Sequence, residues 1–284
     1  MSITQQFYDQ LASQYDKLFL DWQAATKEQA ALLDRLFRTQ GFDLTDRVLD
    51  CACGIGTQSI GLAALGYPVT ASDISDAELA EAKTRAEKNG VAISFRHADF
   101  RALEKAFSTP FDIVVAMDNA LPHMLTKEDL AAAIRSIVGQ IAPDGLFVAS
   151  IRDYDALLAN KPPYSPPYIH QTASGQRVSF QTWHWEDECY RLVQYIIDDE
   201  DALQISKFEC EYRATRREEM TSLLLAAGCR EVQWLFPEET GRSICGRPIC
   251  SKRRGIDYFV HLFPCKLLFP QECGRRQDGI QEFS

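Results

Sequence analysis

Apolar residues recur along this chain at two spacings, and the change between them divides it. In residues 4–39, Phe7, Tyr8, Leu11, Tyr15, Leu18 and Phe19 return at helical intervals, as do Ala30, Leu33, Leu36 and Phe37, which predicts two amphipathic helices. From Arg47 onward short apolar runs alternate with helical stretches. Strands are expected from Val48 and over 69–72, 93–95, 111–117 and 146–151. Helices are expected from Ile60 and over 76–89 and 127–140, with Asn89-Gly90 as a stop and Pro143-Asp144-Gly145 as a turn. Such alternation implies an α/β fold, a Rossmann-like doubly wound parallel sheet wrapped by helices. The alternation stops at the Pro-rich stretch 161–167, an extended connector. Three strand-like runs follow at 177–185, 190–197 and 205–213, without helices between them, and predict an inserted antiparallel sheet. A helix over 216–227 and strands over 231–236 and 248–251 return the chain to the core. The expected organisation is thus an N-terminal helical lid (1–45), a core (46–158 and 216–253), a β insertion over the substrate site (159–215) and a tail (254–284) with no functional reading.

Composition narrows the class. The chain has 284 residues, 46% hydrophobic and 25% charged, enough for one sizeable core in a globular protein. A net charge of −10 argues against a nucleic-acid partner, since the one basic cluster of note is Lys252-Arg253-Arg254. Neither a leader nor an apolar run of membrane-spanning length is visible, so no membrane association is expected. The nine cysteines lack metal-ligand spacing, and a reducing, cytoplasmic setting is expected.

The chemistry concentrates in residues 47–61. Here an apolar strand turns through Gly54 and Gly56 into a helix, a geometry that brings free helix N-terminal amides to a negatively charged ligand group. That group could belong to a pyrophosphate or to an amino-acid-like cofactor. Asp50, four positions before Gly54, would repel a pyrophosphate but pair with the ammonium of S-adenosyl-L-methionine, and Ser59 stands where the dinucleotide fingerprint needs its third glycine. Asp73 ends the next strand, where a carboxylate accepts both ribose hydroxyls. Asp99 at the third strand's end either accepts from the adenine amino group or caps a helix. Strand carboxyl ends also make Asn119, His123 and Arg152 site candidates. Arg152 either forms an ion pair within the fold or grips a substrate carboxylate with its guanidinium fork, and its position favours the second. Tyr8, Tyr15 and Trp22 either pack against the sheet or close over the ligand. Trp183, Trp185 and Tyr212 either pack across strands or line the substrate wall.

Asp-Cys-Ala-Cys-Gly-Ile-Gly at 50–56 and Ala-Ser-Asp-Ile-Ser at 71–75 resemble the class I S-adenosylmethionine-dependent methyltransferases. Phe-Arg-His-Ala-Asp at 95–99, Asp-Asn-Ala-Leu-Pro-His at 118–123, Ser-Ile-Arg-Asp-Tyr-Asp at 150–155 and Tyr-Arg-Ala at 212–214 narrow the resemblance to the glycine/sarcosine N-methyltransferases, which act in betaine synthesis. It covers about residues 7–253, and 254–284 have no counterpart in that family. The resemblance implies S-adenosyl-L-methionine as cofactor and S-adenosyl-L-homocysteine as product. Cofactor contacts are implied for Asp50, Cys51, Ala52, Gly54, Gly56, Asp73, Ile74, Asp99, Phe100, Met117, Asn119 and Tyr15, and for Lys27, which falls where the family often has Arg. For a small amino-acid substrate, Asn119 would hold the amine and Arg152 the carboxylate, with Tyr15 and Tyr212 beside them. His123 would take the proton or serve as a packed or capping histidine. The alternatives are a methyltransferase for another small amine or carboxylate metabolite, and a catalytically silent cofactor-binding regulator.

Overall fold

The computed structural model describes residues 2–172, 175–199 and 202–235 and the strand 247–251; Phe236, Lys252-Arg253-Arg254 and the tail at 254–284 lie outside them. Helix α1 (Ile3–Leu11) starts at Ser2, whose Oγ accepts from Gln5 N, and α2 (Trp22–Thr39) starts at Asp21, whose carboxylate accepts from Ala24 N at 2.9 Å. Between them lies a 3₁₀ stretch, Ala12–Leu18, that ends as Phe19 turns extended. Trp22, Thr26, Ala30, Leu33 and Phe37 are the buried stripe of α2, three or four residues apart.

A seven-stranded sheet has the order β10-β11-β5-β4-β1-β2-β3. Its parallel part comprises β1 (Val48–Asp50), β2 (Val69–Asp73), β3 (Ser94–His97), β4 (Phe111–Ala116) and β5 (Ile141–Ala149); β10 (Glu231–Leu235) and β11 (Arg247–Ser251) add an antiparallel edge. Along β1, β4 and β5 successive residues face opposite layers. Leu49, Val114 and Phe147 pack with Leu130 and Ile134 of α5 (Lys127–Gly139), while Val48, Ile113 and Val148 pack with Leu33 and Phe37 of α2. Both faces are apolar because helices cover both. The chain winds from β1 to β3 on one side and returns through β4 and β5 on the other, so the sheet has its switch point between β1 and β4, where ligands of such sheets lie.

Three local expectations are corrected. Pro143-Asp144-Gly145 is an irregularity within β5 rather than a turn before it: pairing with β4 shifts from Phe111↔Ile141 to Ile113↔Leu146, and Asp144 takes φ 65°. Helix α6 (Tyr154–Asn160) was not apparent from the sequence; Asp153 caps it through Ala156 N at 3.2 Å and Lys161 ends it in the left-handed region. The second sheet has four antiparallel strands, β6 (Tyr168–Gln171), β7 (Gln176–Glu186), β8 (Cys189–Asp198) and β9 (Gln204–Arg213), where three were expected. Trp183, Tyr190, Leu192, Phe208 and Tyr212 join the same apolar cluster as Phe147 and Tyr154, so the second sheet shares the core of the first. Phe7 of α1 meets Phe208 edge to face at 6.5 Å and fixes the N-terminal helix against β9.

Helix α3 (Thr57–Leu65) packs on α2 at Gly61, where an added Cβ would come within 2.6 Å of both Ala30 Cβ and the Thr26 carbonyl oxygen. We expect Gly61→Ala to destabilise the fold by about 2 kcal/mol through overpacking, measured by urea unfolding; an unchanged midpoint would mean that the helices separate freely.

Candidate active site

The chain leaves β1 at Asp50 and turns into α3 through two left-handed glycines, Gly54 (φ 51°) and Gly56 (φ 89°). A side chain at either is excluded by more than its backbone: a Cβ would meet Glu78 Oε2 at 2.6 Å from Gly54 and Ile60 Cδ1 at 2.9 Å from Gly56. Asp73 ties the turn to β2, accepting from Gly54 N and Ser75 N at 2.9 Å each. No side chain caps α3, so its first-turn amides are not taken by a side-chain acceptor. Ser59, which breaks the dinucleotide fingerprint, donates to Asp50 at 2.6 Å. Asp50 is fully buried; burial above all, then Asp73 and Asp118, push its carboxyl up to about 7 against the hydrogen bonds from Ser59 and Ala52. Burial also raises Asp73, opposed by the amides of Ser75, Gly54 and Ile74.

A cavity of about 260 Å³ opens at this turn. Of the residues expected from the sequence, Cys51, Ala52, Gly54, Asp73, Ile74, Asp99, Phe100, Met117, His123 and Tyr15 line it. Asp50, Gly56, Asn119, Arg152 and Tyr212 lie outside its lining, and so do Trp183 and Trp185. Lys27 is exposed on α2: it follows the buried Thr26 and so falls off the helix's packed stripe. Asp99 borders the cavity, but its carboxylate is gripped by Arg101, with Nη2 at 2.6 Å and a backbone bond at 2.9 Å. Burial raises its pKa, the Arg101 bonds outweigh this, and it ends below the ordinary value. It does not cap the following 3₁₀ turn, whose N-cap is Ala102.

Beyond β4, Asp118 (φ 54°) and Asn119 (φ 69°) are both left-handed, a costly conformation for non-glycine residues. Ser150 after β5 holds them there, its Oγ accepting from Asp118 N at 2.7 Å and its carbonyl from Asn119 N at 3.0 Å. Asn119 is 2% exposed. Its Oδ1 accepts from Arg152 N and the Tyr154 hydroxyl, at 3.1 Å each, so the backbone amide settles which way the side-chain amide points. Its buried Nδ2 has no hydrogen-bond partner among the described residues. Arg152 is buried beside it, donating to the Tyr190 hydroxyl at 2.9 Å and Gln181 Oε1 at 3.0 Å, under the rings of Trp183 and Tyr212.

His123 separates the cavity from this second cluster. Its ring packs on that of Tyr212, centroids 4.1 Å apart and planes tilted by 32°, Nδ1 donates to the Glu211 carbonyl at 3.3 Å, and Nε2 therefore accepts from the Tyr8 hydroxyl at 2.9 Å. Burial pushes its pKa down to about 3, so at neutral pH it is an uncharged, packed imidazole and a weak base. Tyr8 and Tyr15 of the N-terminal segment both border the cavity. Tyr8 packs on His123 while bordering the cavity, and Trp22 lies outside the lining, its Nε1 donating to Thr57 Oγ1 at 2.9 Å. Sequence reasoning missed Gln181, Tyr190 and Tyr154, which surround Arg152 and Asn119, and Glu78, which lines the cavity. Gln181 had only a weak signal: it alternates with Ser179 and Trp183 on the inward face of β7, where a polar residue must find a partner.

Residues 48–145 match the family model described as a methyltransferase domain. A glycine/sarcosine N-methyltransferase of Halorhodospira halochloris is 24% identical over 214 residues, 75% of this chain and 77% of that protein. One from Parasynechococcus marenigrum is 28% identical over 154 residues, where the match spans 54% of this chain and 53% of the relative. Among solved structures, an S-adenosylmethionine-dependent methyltransferase from Clostridium acetobutylicum superposes with a TM-score of 0.66 at 17% identity, covering 86% of this chain and 97% of that one. Among the described residues no helix is long and apolar enough to cross a membrane. Residues 48–145 thus match a methyltransferase domain, on a chain with the fold of the class I S-adenosylmethionine-dependent methyltransferases.

Proposed function

We propose that this methyltransferase transfers a methyl group from S-adenosyl-L-methionine to the amine of a small amino acid, glycine or sarcosine, in the cytoplasm. The residues at the turn suit the cofactor: a glycine cradle that a Cβ would fill, an acid at the end of β2, and an acidic wall for a cationic ligand. The amides of α3 would take its carboxylate and Asp73 its ribose. Asp118 on the wall and Asp50 behind it would favour its positive charges. Bound, the cofactor supplies an electrophilic methyl on a sulfonium.

The observation that carries the acceptor assignment is the buried Arg152 guanidinium next to the unpartnered Asn119 Nδ2. Two donors side by side suit a carboxylate. The family resemblance implies that Asn119 holds the amine, but with Oδ1 taken by Arg152 N and Tyr154 only a donor is left, so we assign Asn119 to the carboxylate with Arg152. Holding the acceptor in line with the methyl group is the chain's main contribution; the neutral His123 is not needed as a base. Tyr8 and Tyr15 would exclude water when the N-terminal segment is seated.

Adenosylhomocysteine release with glycine, sarcosine, dimethylglycine and ethanolamine offered separately tests the assignment. Turnover is expected with glycine or sarcosine and not with ethanolamine, which lacks the carboxylate. Equal turnover with ethanolamine would remove Arg152 and Asn119 from acceptor recognition.

A further inference from the structure

Glu78, on the first turn of α4 (Asp76–Lys88), is 1% exposed and lines the cavity near Gly54 and Asp73. Its sequence context, Ser75-x-x-Glu78, is that of a capping box, in which the glutamate reaches back to the N-cap amide. Only half of that box forms. Ser75 Oγ accepts from Glu78 N at 3.1 Å, but Ser75 N donates to Asp73 Oδ1 at 2.9 Å. The Glu78 carboxyl reaches the glycine turn instead: Oε2 lies 2.6 Å from where a Gly54 Cβ would stand, and the buried Oε1 has no hydrogen-bond partner among the described residues. An unpaired buried carboxyl oxygen costs stability, so its retention needs a reason outside the fold.

We propose that Glu78 is a specificity residue for the cofactor, sharing the ribose diol of adenosylmethionine with Asp73. Asp73 spends its oxygens on two backbone amides and accepts best as the ion. Burial first, then Asp73 and Asp9, with Glu81 adding and Arg85 opposing, push Glu78 well above its ordinary value, which favours the protonated form that can donate. A vicinal diol both donates and accepts, and a carboxylate beside a carboxylic acid answers both. The inference rests on the cofactor assignment and not on the identity of the acceptor.

Calorimetric titration of the full chain tests it, with adenosylhomocysteine and its 2′-deoxy and 3′-deoxy counterparts as probes. Wild type should bind adenosylhomocysteine about 10-fold more tightly than at least one deoxy analogue. Glu78→Gln, which keeps a donor and an acceptor, should stay within a few-fold of wild type. Glu78→Leu should bind adenosylhomocysteine about 10-fold more weakly, bind that deoxy analogue as wild type does, and melt no lower than wild type when free of ligand. A Glu78→Leu protein with wild-type affinity, or one that weakens all three ligands equally, would overturn the role of Glu78. Absence of adenosylhomocysteine binding in wild type would instead overturn the cofactor assignment itself.

Discussion

Replacing Arg152 by lysine is expected to lower kcat/KM for a carboxylate-bearing acceptor about 100-fold, while adenosylhomocysteine affinity stays unchanged. The guanidinium is placed by two neutral partners, Tyr190 and Gln181, and by the rings of Trp183 and Tyr212. Lysine keeps the charge, but a single ammonium cannot meet both partners and a carboxylate in one plane. Because Arg152 stands outside the lining of the cavity at the glycine turn, cofactor binding serves as the internal control. Steady-state kinetics with glycine or sarcosine, beside calorimetry with adenosylhomocysteine, separates the two. Unchanged kinetics would make Arg152 a structural cation, and loss of both functions would mean that the substitution disturbs the core.

Asp50 sets the second large expected effect, in the pH dependence of stability. Burial raises its carboxyl from an ordinary 3.8 to about 7. Between those values the folded protein holds a proton that the unfolded chain has released, so stability falls as pH rises from 4 to 7 and levels off above 7. The full penalty is on the order of 4 kcal/mol. Asp50→Asn removes this contribution: the variant should be the more stable above pH 7, and its stability should vary less between pH 5 and 7. Asp73 and Glu78, also raised, leave part of the slope in place. Urea unfolding at several pH values measures it, and parallel curves for the two proteins would contradict it.

The glycine turn and its two acids were legible because their causes are local. A left-handed backbone needs glycine, and a carboxylate at a strand end needs neighbouring amides. Arg152 and Asn119 were legible by position alone, since a strand end faces the switch point whatever the side chain does. Direction was harder to read. Lys27 is one helical step from the packed stripe of α2 and so faces solvent. Asp99 is claimed by Arg101 two residues on, and Asn119 is turned by an amide from another strand. Glu78 was hidden by a motif that explains it in ordinary terms, and only the rival bond between Ser75 N and Asp73 shows that the motif is half made. Strand β6 and helix α6, four and seven residues long, carry too few positions for a period to emerge.

The measurement that tests the central claim most directly is the fate of the methyl group itself. Purified protein is incubated with adenosylmethionine carrying a deuterated methyl and with glycine, and the product is read by mass spectrometry. The predicted result is labelled N-methylglycine, formed by wild type and strongly reduced in Arg152→Lys at the same glycine concentration. Tight adenosylhomocysteine binding without any labelled product from glycine, sarcosine or dimethylglycine would contradict the claim.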